Sequence, residues 1–542
     1  MYNVIVVGAG WYGLAAARAY IQDHPNDNVL VIEAESTCGS TWSNNRLYPG
    51  LKSNNLWGSY EYPEFPMLEE VYGVTEGQHI PAAVLHRCLT DFAKKFGVFE
   101  KTRFDTKVTS VESTSTETWK ISVTSSEFNG GDEVLETEKL ILTTGQETFT
   151  PRLLHAKEFC VNADTVNTCK KAVVVGAVKS AFDCAYAYAP SEGSVQVDLI
   201  IRATGDVPVW LCPPYITPFL QKMEGLLCTR ALTWFNPCPW GAEEGYGIVR
   251  RFLHNTGIGN FIVNDFWNVL SMDVVNAHGY NDHPEVFKLK PWQSPMWTGS
   301  GVGIHNYETN FYDLVRQGKI RVHLADILRP DGATVNLTNG EVIETDIVLC
   351  AMGWRKEPSL EFIKFDRGLK QQNLERERLI NDANVEIRSM FPMLNDQPVL
   401  RREQPKGEPL HNYRFIVPSQ SVFKKNIAYA GMVSTVFTSV FASVQGLWIS
   451  AYFDGKLQRA LKSEVDVTKE VMLHTQFGRW RYPCGYGASL PDFAFDSVPY
   501  VDLLLNDLGL KAHRKTSTIV DLVEAYKPAD YAGVAQEWEN KQ

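Results

Sequence analysis

The sequence lacks paired cysteines. Ten cysteines are spread over 542 residues with no Cys-x-x-Cys spacing, which argues against a zinc site and against a redox disulfide of the usual kind. Reduced thiols of a cytosolic protein are the plainer reading, so no metal site and a cytoplasmic location are expected. The chain also lacks a basic excess. It has 52 Lys and Arg against 63 Asp and Glu, a net charge of −11, which leaves no electrostatic footprint for nucleic acid. The first apolar run begins at residue 3, with no room for a signal peptide ahead of it. Residues 427–453 are apolar enough to pass a hydropathy scan, but Ser and Thr recur through them together with Gly431, Gln445 and Gly446. They read as a buried strand, a loop and a buried helix rather than as a membrane span. The overall composition, 44% hydrophobic and 21% charged, supports packed cores. At about 150 residues per domain, the length predicts roughly two to four domains.

The most informative segment is residues 4–33. An apolar run, Val4 to Val7, leads directly into Gly8-Ala9-Gly10-Trp11-Tyr12-Gly13, then a helical pattern, then a second apolar run ending in Glu33. Gly8 permits a tight turn, Gly10 lets backbone approach a pyrophosphate, and Gly13 lets the helix pack on the strand. The helix start then presents free N–H groups and a positive dipole end to phosphates. Glu33 stands where a carboxylate accepts hydrogen bonds from ribose hydroxyls. With strand, turn, helix and acid in order, the segment is a dinucleotide-binding unit, and Trp11 and Tyr12 within the turn join the cofactor contacts.

Residues 172–203 repeat the layout less tidily. Ala172–Val175 is the strand, Gly176-Ala177-Val178-Lys179-Ser180-Ala181 the turn, and a strand over 195–202 ends in Arg202. Val178 replaces the second glycine, and its Cβ is expected to crowd a pyrophosphate. An arginine at the strand end favours the 2′-phosphate of NADP over the ribose of NAD. Lys179 adds charge beside it, and Ser180 stands at the helix start. Two further apolar runs end in small turns, at Gly145 and at Gly353. The expected fold class is therefore α/β, with two nested Rossmann-like domains. The boundaries are 1–150 for the first part of the FAD domain, 151–345 for the NADP domain with an insert at about 205–308, 346–455 for the second part of the FAD domain, and 456–542 for a helical C-terminal extension.

These motifs resemble those of the class B flavoprotein monooxygenases, specifically the flavin-containing (dimethylaniline-type) monooxygenase family. The resemblance covers most of residues 1–455. It rests on Cys38-Gly39-Ser40-Thr41-Trp42, on Arg-Leu-Tyr-Pro-Gly-Leu at 46–51, on Asn54 ahead of Phe65-Pro66, and on residues 80–98 and 309–355. The family fingerprint keeps Phe149, His155 and Phe159, but Pro151 replaces its glycine.

The resemblance implies an oxidoreductase that uses FAD and NADPH, forms a flavin C4a-(hydro)peroxide and transfers one oxygen atom from O2 to a substrate. It places Asn54 at the flavin edge, Trp42 and Arg46 along the flavin, and Gly431 at the last flavin contact. Heteroatom oxygenation or epoxidation ranks above Baeyer–Villiger insertion. The aromatic- and proline-rich insert reads as a lid over a bulky apolar small-molecule substrate, a secondary metabolite. Three alternatives stay open. A pyridine-nucleotide disulfide reductase shares the nested fold but needs a cysteine pair beside the flavin. An NADPH-independent oxidase or a non-catalytic dinucleotide sensor would follow if Val178 blocks the second site. The oligomeric state is not encoded in any motif.

Overall fold

A computed structural model describes residues 1–541 except 49, 126–131, 144–153, 190–194, 206–207, 217–220, 332, 352, 354–360, 364–372 and 402–408. Gly145, Phe149 and Pro151 lie outside the described residues. Strand Tyr2–Val7 runs between Val29–Ile32 and Asp132–Leu142, parallel to both. Its residues Val4–Val7 are buried, as an apolar run in the middle of a parallel sheet must be. An antiparallel pair, Thr106–Ser113 and Trp119–Ser125, extends the sheet on one side. Ile427–Tyr429 returns much later to pair with the 140–142 end of Asp132–Leu142.

A second, wholly parallel sheet orders its strands Ile320–Leu324, Gln196–Ile201, Lys171–Val175, Ile347–Cys350 and Leu154–His155. It is inserted in sequence between strands of the first sheet, so the two are nested. The sequence reading returns the chain to the first sheet at 346. Strand Ile347–Cys350 instead pairs with Lys171–Val175, and the first sheet is rejoined at Glu361–Ile363 beside Thr106–Ser113. A short apolar strand suits either sheet, and only its partner decides which one it enters.

Residues 427–453 form the strand Ile427–Tyr429 and the buried helix Thr438–Phe453. That helix packs on helix Trp11–Asp23. A Cβ at Gly446 would lie 2.9 Å from the Ala15 carbonyl oxygen, so the close approach of the two backbones requires glycine. Among the described residues no helix is long and apolar enough to cross a membrane.

The insert is closed at its neck by a parallel pair, Trp210–Cys212 with Val302–Ile304, and is largely helical, with Gly247–Asn255 and Gly257–His278 its longest elements. The expected lid of tryptophans is not what Trp210, Trp240 and Trp267 form. All three are buried, and Trp240 lies edge-on to Phe415 and Phe477 at 5.5 and 5.6 Å. Trp240 is a core side chain, whereas Trp210 and Trp267 line a small apolar cavity together with Phe495 of the C-terminal region.

That region is helical, with Glu464–Arg481 and Ser497–Asp507 its main elements, but it is locked into the insert rather than appended to it. Arg230 of the insert is fully buried. It donates from Nε to Asp521 at 2.9 Å and from Nη1 to Glu244 at 3.1 Å, and it also pairs with Asp502. Glu244 is shared with Arg250. Removing one partner from such a cluster leaves uncompensated buried charge. Arg230→Met should therefore cost about 3–5 kcal/mol of stability, read as a lowered denaturation midpoint. A loss below about 1 kcal/mol, the range of an exposed pair, would contradict this account of how the two regions are joined.

Candidate active site

The first glycine turn follows strand Tyr2–Val7 at the carboxyl end of the sheet. Gly8 has φ +106°, a conformation other residues resist. A Cβ on Gly13 would sit 1.9 Å from the Gly8 carbonyl oxygen, and one on Gly10 would sit 2.9 Å from Ser40 Cβ. Gly13 is small because backbone passes there, and Gly10 because the Ser40 side chain does. No side chain caps helix Trp11–Asp23, which leaves its first-turn N–H groups for a ligand. The Glu33 carboxylate is buried beneath the turn and accepts from the N–H groups of Ala9, at 2.6 Å, and Glu35, at 2.9 Å. Burial pushes its carboxyl up, while those two donors pull it back.

Trp11 takes a different part from the expected cofactor contact. Its ring is buried between Tyr60 and Tyr62, with centroids 4.6 Å away in each case, and only its backbone faces the turn. Tyr12 lies directly against Gly431, where a Cβ would meet the tyrosine ring at 2.5 Å. Gly431 has φ +79°, and its N–H donates to Gln445 Oε1 at 3.0 Å. The segment after strand Ile427–Tyr429 thus comes back to the first glycine turn. Arg46 is drawn to one side by Glu35, with Nε to Oε1 at 2.9 Å.

The second turn follows strand Lys171–Val175. A Cβ at Gly176 would meet the Ala351 carbonyl oxygen at 2.4 Å, so this strand and Ile347–Cys350 approach as closely as the first pair does. Val178 takes the N-cap position of helix Lys179–Tyr188 in extended backbone, and no side chain caps that helix. Arg202 is exposed at the end of strand Gln196–Ile201 and makes no ion pair among the described residues. Lys179 is not available in the same way. Its ammonium is paired with Asp183, one turn on, donates to Asn306 Oδ1 at 2.9 Å and lies 4.4 Å from the centre of the Tyr307 ring. Its expected role beside Arg202 is therefore replaced by a brace to residues 306–307.

A cleft is lined from the first domain by Thr41, Trp42, Arg46 and Tyr48 and from the second by Val178, Ser180 and Gly353. Four of the expected positions, Trp42, Arg46, Ser180 and Gly353, therefore share one cavity with Val178. Tyr486 of the C-terminal region also lines it, a contribution that no local motif signals. Asn54 is not among the lining residues. It is exposed on strand Lys52–Leu56.

A doubly wound pair of dinucleotide folds opening on one cleft defines the class as a two-dinucleotide flavoprotein oxidoreductase. Residues 2–210 match the family model described as pyridine nucleotide-disulphide oxidoreductase. A FAD-dependent monooxygenase of Aspergillus nomiae is 30% identical over 584 residues, spanning 99% of this chain and 98% of that one. Another from Pyrenophora dematioidea is 30% identical over 563 residues, spanning 96% and 100%. The fold is similar to that of cyclohexanone monooxygenase from Rhodococcus sp. Phi1, solved with NADP+, at a TM-score of 0.58 and 15% identity over 94% and 97% of the two chains. The chain belongs to the FAD-dependent monooxygenase family.

The cysteines separate this family from the disulfide reductases that share the first 210 residues. All ten are free, eight of them buried. Burial pushes the thiols of Cys38, Cys88 and Cys184 up to about 12, whereas a redox-active pair needs a stabilised thiolate. Ellman's reagent applied near pH 8 should react promptly only with the partly exposed Cys160 and Cys169, the rest following on unfolding. Rapid loss of two thiols among Cys38, Cys88 and Cys184 would contradict this.

Proposed function

We propose that the protein is an NADPH-dependent monooxygenase that places one atom of O2 into a bulky apolar small molecule and releases the other as water. The observation that carries this reading is the shared cleft. Trp42 and Arg46 reach it from the short helical turns Ser40–Trp42 and Asn44–Arg46, Ser180 from the start of helix Lys179–Tyr188, and Gly353 from beyond strand Ile347–Cys350. The residues suit two dinucleotides. The first-turn N–H groups of helix Trp11–Asp23 would hold the FAD pyrophosphate, Glu33 its ribose, and Gly431 its far edge, with Trp42 alongside. The unfilled hydrogen-bonding capacity of the buried Tyr12 hydroxyl suits a site that a polar cofactor completes. Gly145 is assigned to the same contact set on the family pattern alone. Arg202 would take the 2′-phosphate of NADPH, and Gly176, Ser180 and Gly353 would line its path.

Bound FAD supplies hydride acceptance and the activation of dioxygen. The protein's part is to orient the two cofactors, shield their meeting point from water and shape the substrate's approach. Val178 stands at the wall of the cleft beside Ser180, and the pyrophosphate of NADPH would pass it on the helix side. Asn54 is assigned to the flavin edge, where its amide can both donate and accept. Heteroatom oxygenation or epoxidation is preferred to Baeyer–Villiger insertion on the similarity of the motifs.

The purified protein should be yellow, and NADPH should bleach it in the absence of oxygen, much faster than NADH does. Arg202→Ala should raise the NADPH concentration needed by about tenfold, the worth of one charge-assisted phosphate contact, and leave NADH unaffected. Asn54→Ala should raise the hydrogen peroxide released per NADPH consumed. A yellow protein that NADPH cannot reduce would point instead to an NADPH-independent oxidase or a dinucleotide sensor.

A further inference from the structure

The strand that carries Asn54 and Asn55 is gripped at both ends by the insert. At its start, Asn306 Nδ2 donates to the Ser53 carbonyl at 3.2 Å, while Asn306 Oδ1 accepts from Lys179 Nζ at 2.9 Å. At its far end, the carboxylate of Glu224 accepts from the Leu56 N–H at 2.9 and 3.1 Å and from the Ser59 hydroxyl at 2.8 Å. Asn55 Nδ2 donates to the Val436 carbonyl at 3.3 Å. Val436 lies between Gly431 and helix Thr438–Phe453. Glu224, from the short helix Met223–Leu227 of the insert, is only 7% exposed. Two donors from the first domain, the Leu56 N–H and the Ser59 hydroxyl, thus converge on one buried carboxylate from the insert.

We propose that Glu224 is a positioning residue of the monooxygenase, whose carboxylate holds the Leu56 N–H and the Ser59 hydroxyl and so sets the Asn54–Asn55 segment against the flavin edge. The inference rests on the monooxygenase reading above. Ionised, the carboxylate has lone pairs for both donors. Protonated, one of its oxygens becomes a donor facing only donors, and a partner must be released. Ser59 is the one that can leave, because the Leu56 carbonyl, 2.7 Å from its hydroxyl, offers it a second acceptor.

Burial pushes the Glu224 carboxyl up to about 7, against the lowering effect of Leu56, Ser59, Asn55 and Lys222. Two titratable groups face it: Lys222, at the start of its own helix and ion-paired with Glu76 at 3.3 Å, and Cys228, whose thiol burial also pushes up. The strand contributes only uncharged donors. The folded-state value lies above the ordinary 4.5, so the stability this group contributes is complete below about pH 4.5 and is lost as pH rises through about 7. Keeping an ionised carboxylate there costs stability at neutral pH. Local costs of this kind tend to be retained where function needs the group.

The test compares the wild type with Glu224→Gln as holoenzymes between about pH 6 and pH 8.5, a range that brackets the titration. The first readout is hydrogen peroxide released during NADPH oxidation with no organic substrate present. In the wild type it should rise several-fold as pH falls through 7. In Glu224→Gln it should be flat with pH, at the wild type's acid level. The second readout is thermal melting, where the wild type should lose stability from pH 6 to pH 8.5 and Glu224→Gln should not. Asn306→Ala loosens the uncharged grip on the same strand, so it should raise peroxide release at every pH and leave the midpoint in place. Persistence of the wild-type pH dependence in Glu224→Gln would overturn the proposal. So would melting of Glu224→Gln several degrees below the wild type at pH 8.5, which would make the carboxylate a structural support only. A wild type that NADPH cannot reduce at any pH would overturn the monooxygenase reading itself, and with it this role.

Discussion

Everything in this molecule follows from how closely two helices can sit on the strands that feed them. At the first turn the limit is the contact of Gly13 with the Gly8 carbonyl, which leaves no space for a Cβ. At the second it is Ala181 against Gly176, where an added Cβ would lie 2.9 Å from the Ala181 side chain. Both helix starts lie at the carboxyl ends of parallel strands with their N–H groups uncapped. That is where an open α/β sheet takes a phosphate-bearing ligand. The cleft that contains Trp42, Ser180 and Gly353 is the meeting of those two ends.

The rest of the chain holds the two ends in register. Helix Thr438–Phe453 packs on helix Trp11–Asp23 through the bare backbone of Gly446, so the last returning segment closes the first domain. The insert and the C-terminal helices form one body, joined by the buried charges around Arg230, and Arg414 of the first domain's second part ties that body down, its Nε donating to Asp507 at 2.7 Å. Buried ion pairs are weak sources of net stability, but they are strict about geometry, because a misplaced partner is left as an unpaired charge. This suits a body that contributes Tyr486 to the cleft and Glu224 and Asn306 to the neighbouring strand.

Local pattern made much of this readable. The first strand, turn, helix and acid are contiguous in sequence, and so is the strand and helix over 427–453, so short-range chemistry defines them. Features that depend on distant partners were not readable in that way. The run at 347–350 is equally apolar whichever sheet receives it, and its pairing with Lys171–Val175 places it in the second. Trp11 stands in a glycine turn of the dinucleotide-binding pattern, yet its ring is claimed by Tyr60 and Tyr62, some 50 residues away. Tyr486 and Glu224 reach the site region from segments with no motif at all. Lys179 is a different case. An acid at the i+4 position on the same helix was visible in the sequence, and that spacing favours a pair on the helix surface.

The account's central claim is that two dinucleotides meet in the one cleft. The most direct measurement is a crystal structure of the protein holding both FAD and NADP+. The account predicts the nicotinamide ring stacked against the isoalloxazine between Trp42 and Gly353, with the 2′-phosphate on Arg202. A nicotinamide bound elsewhere, or a second site that stays empty at saturating NADP+ while FAD fills the first, would contradict it.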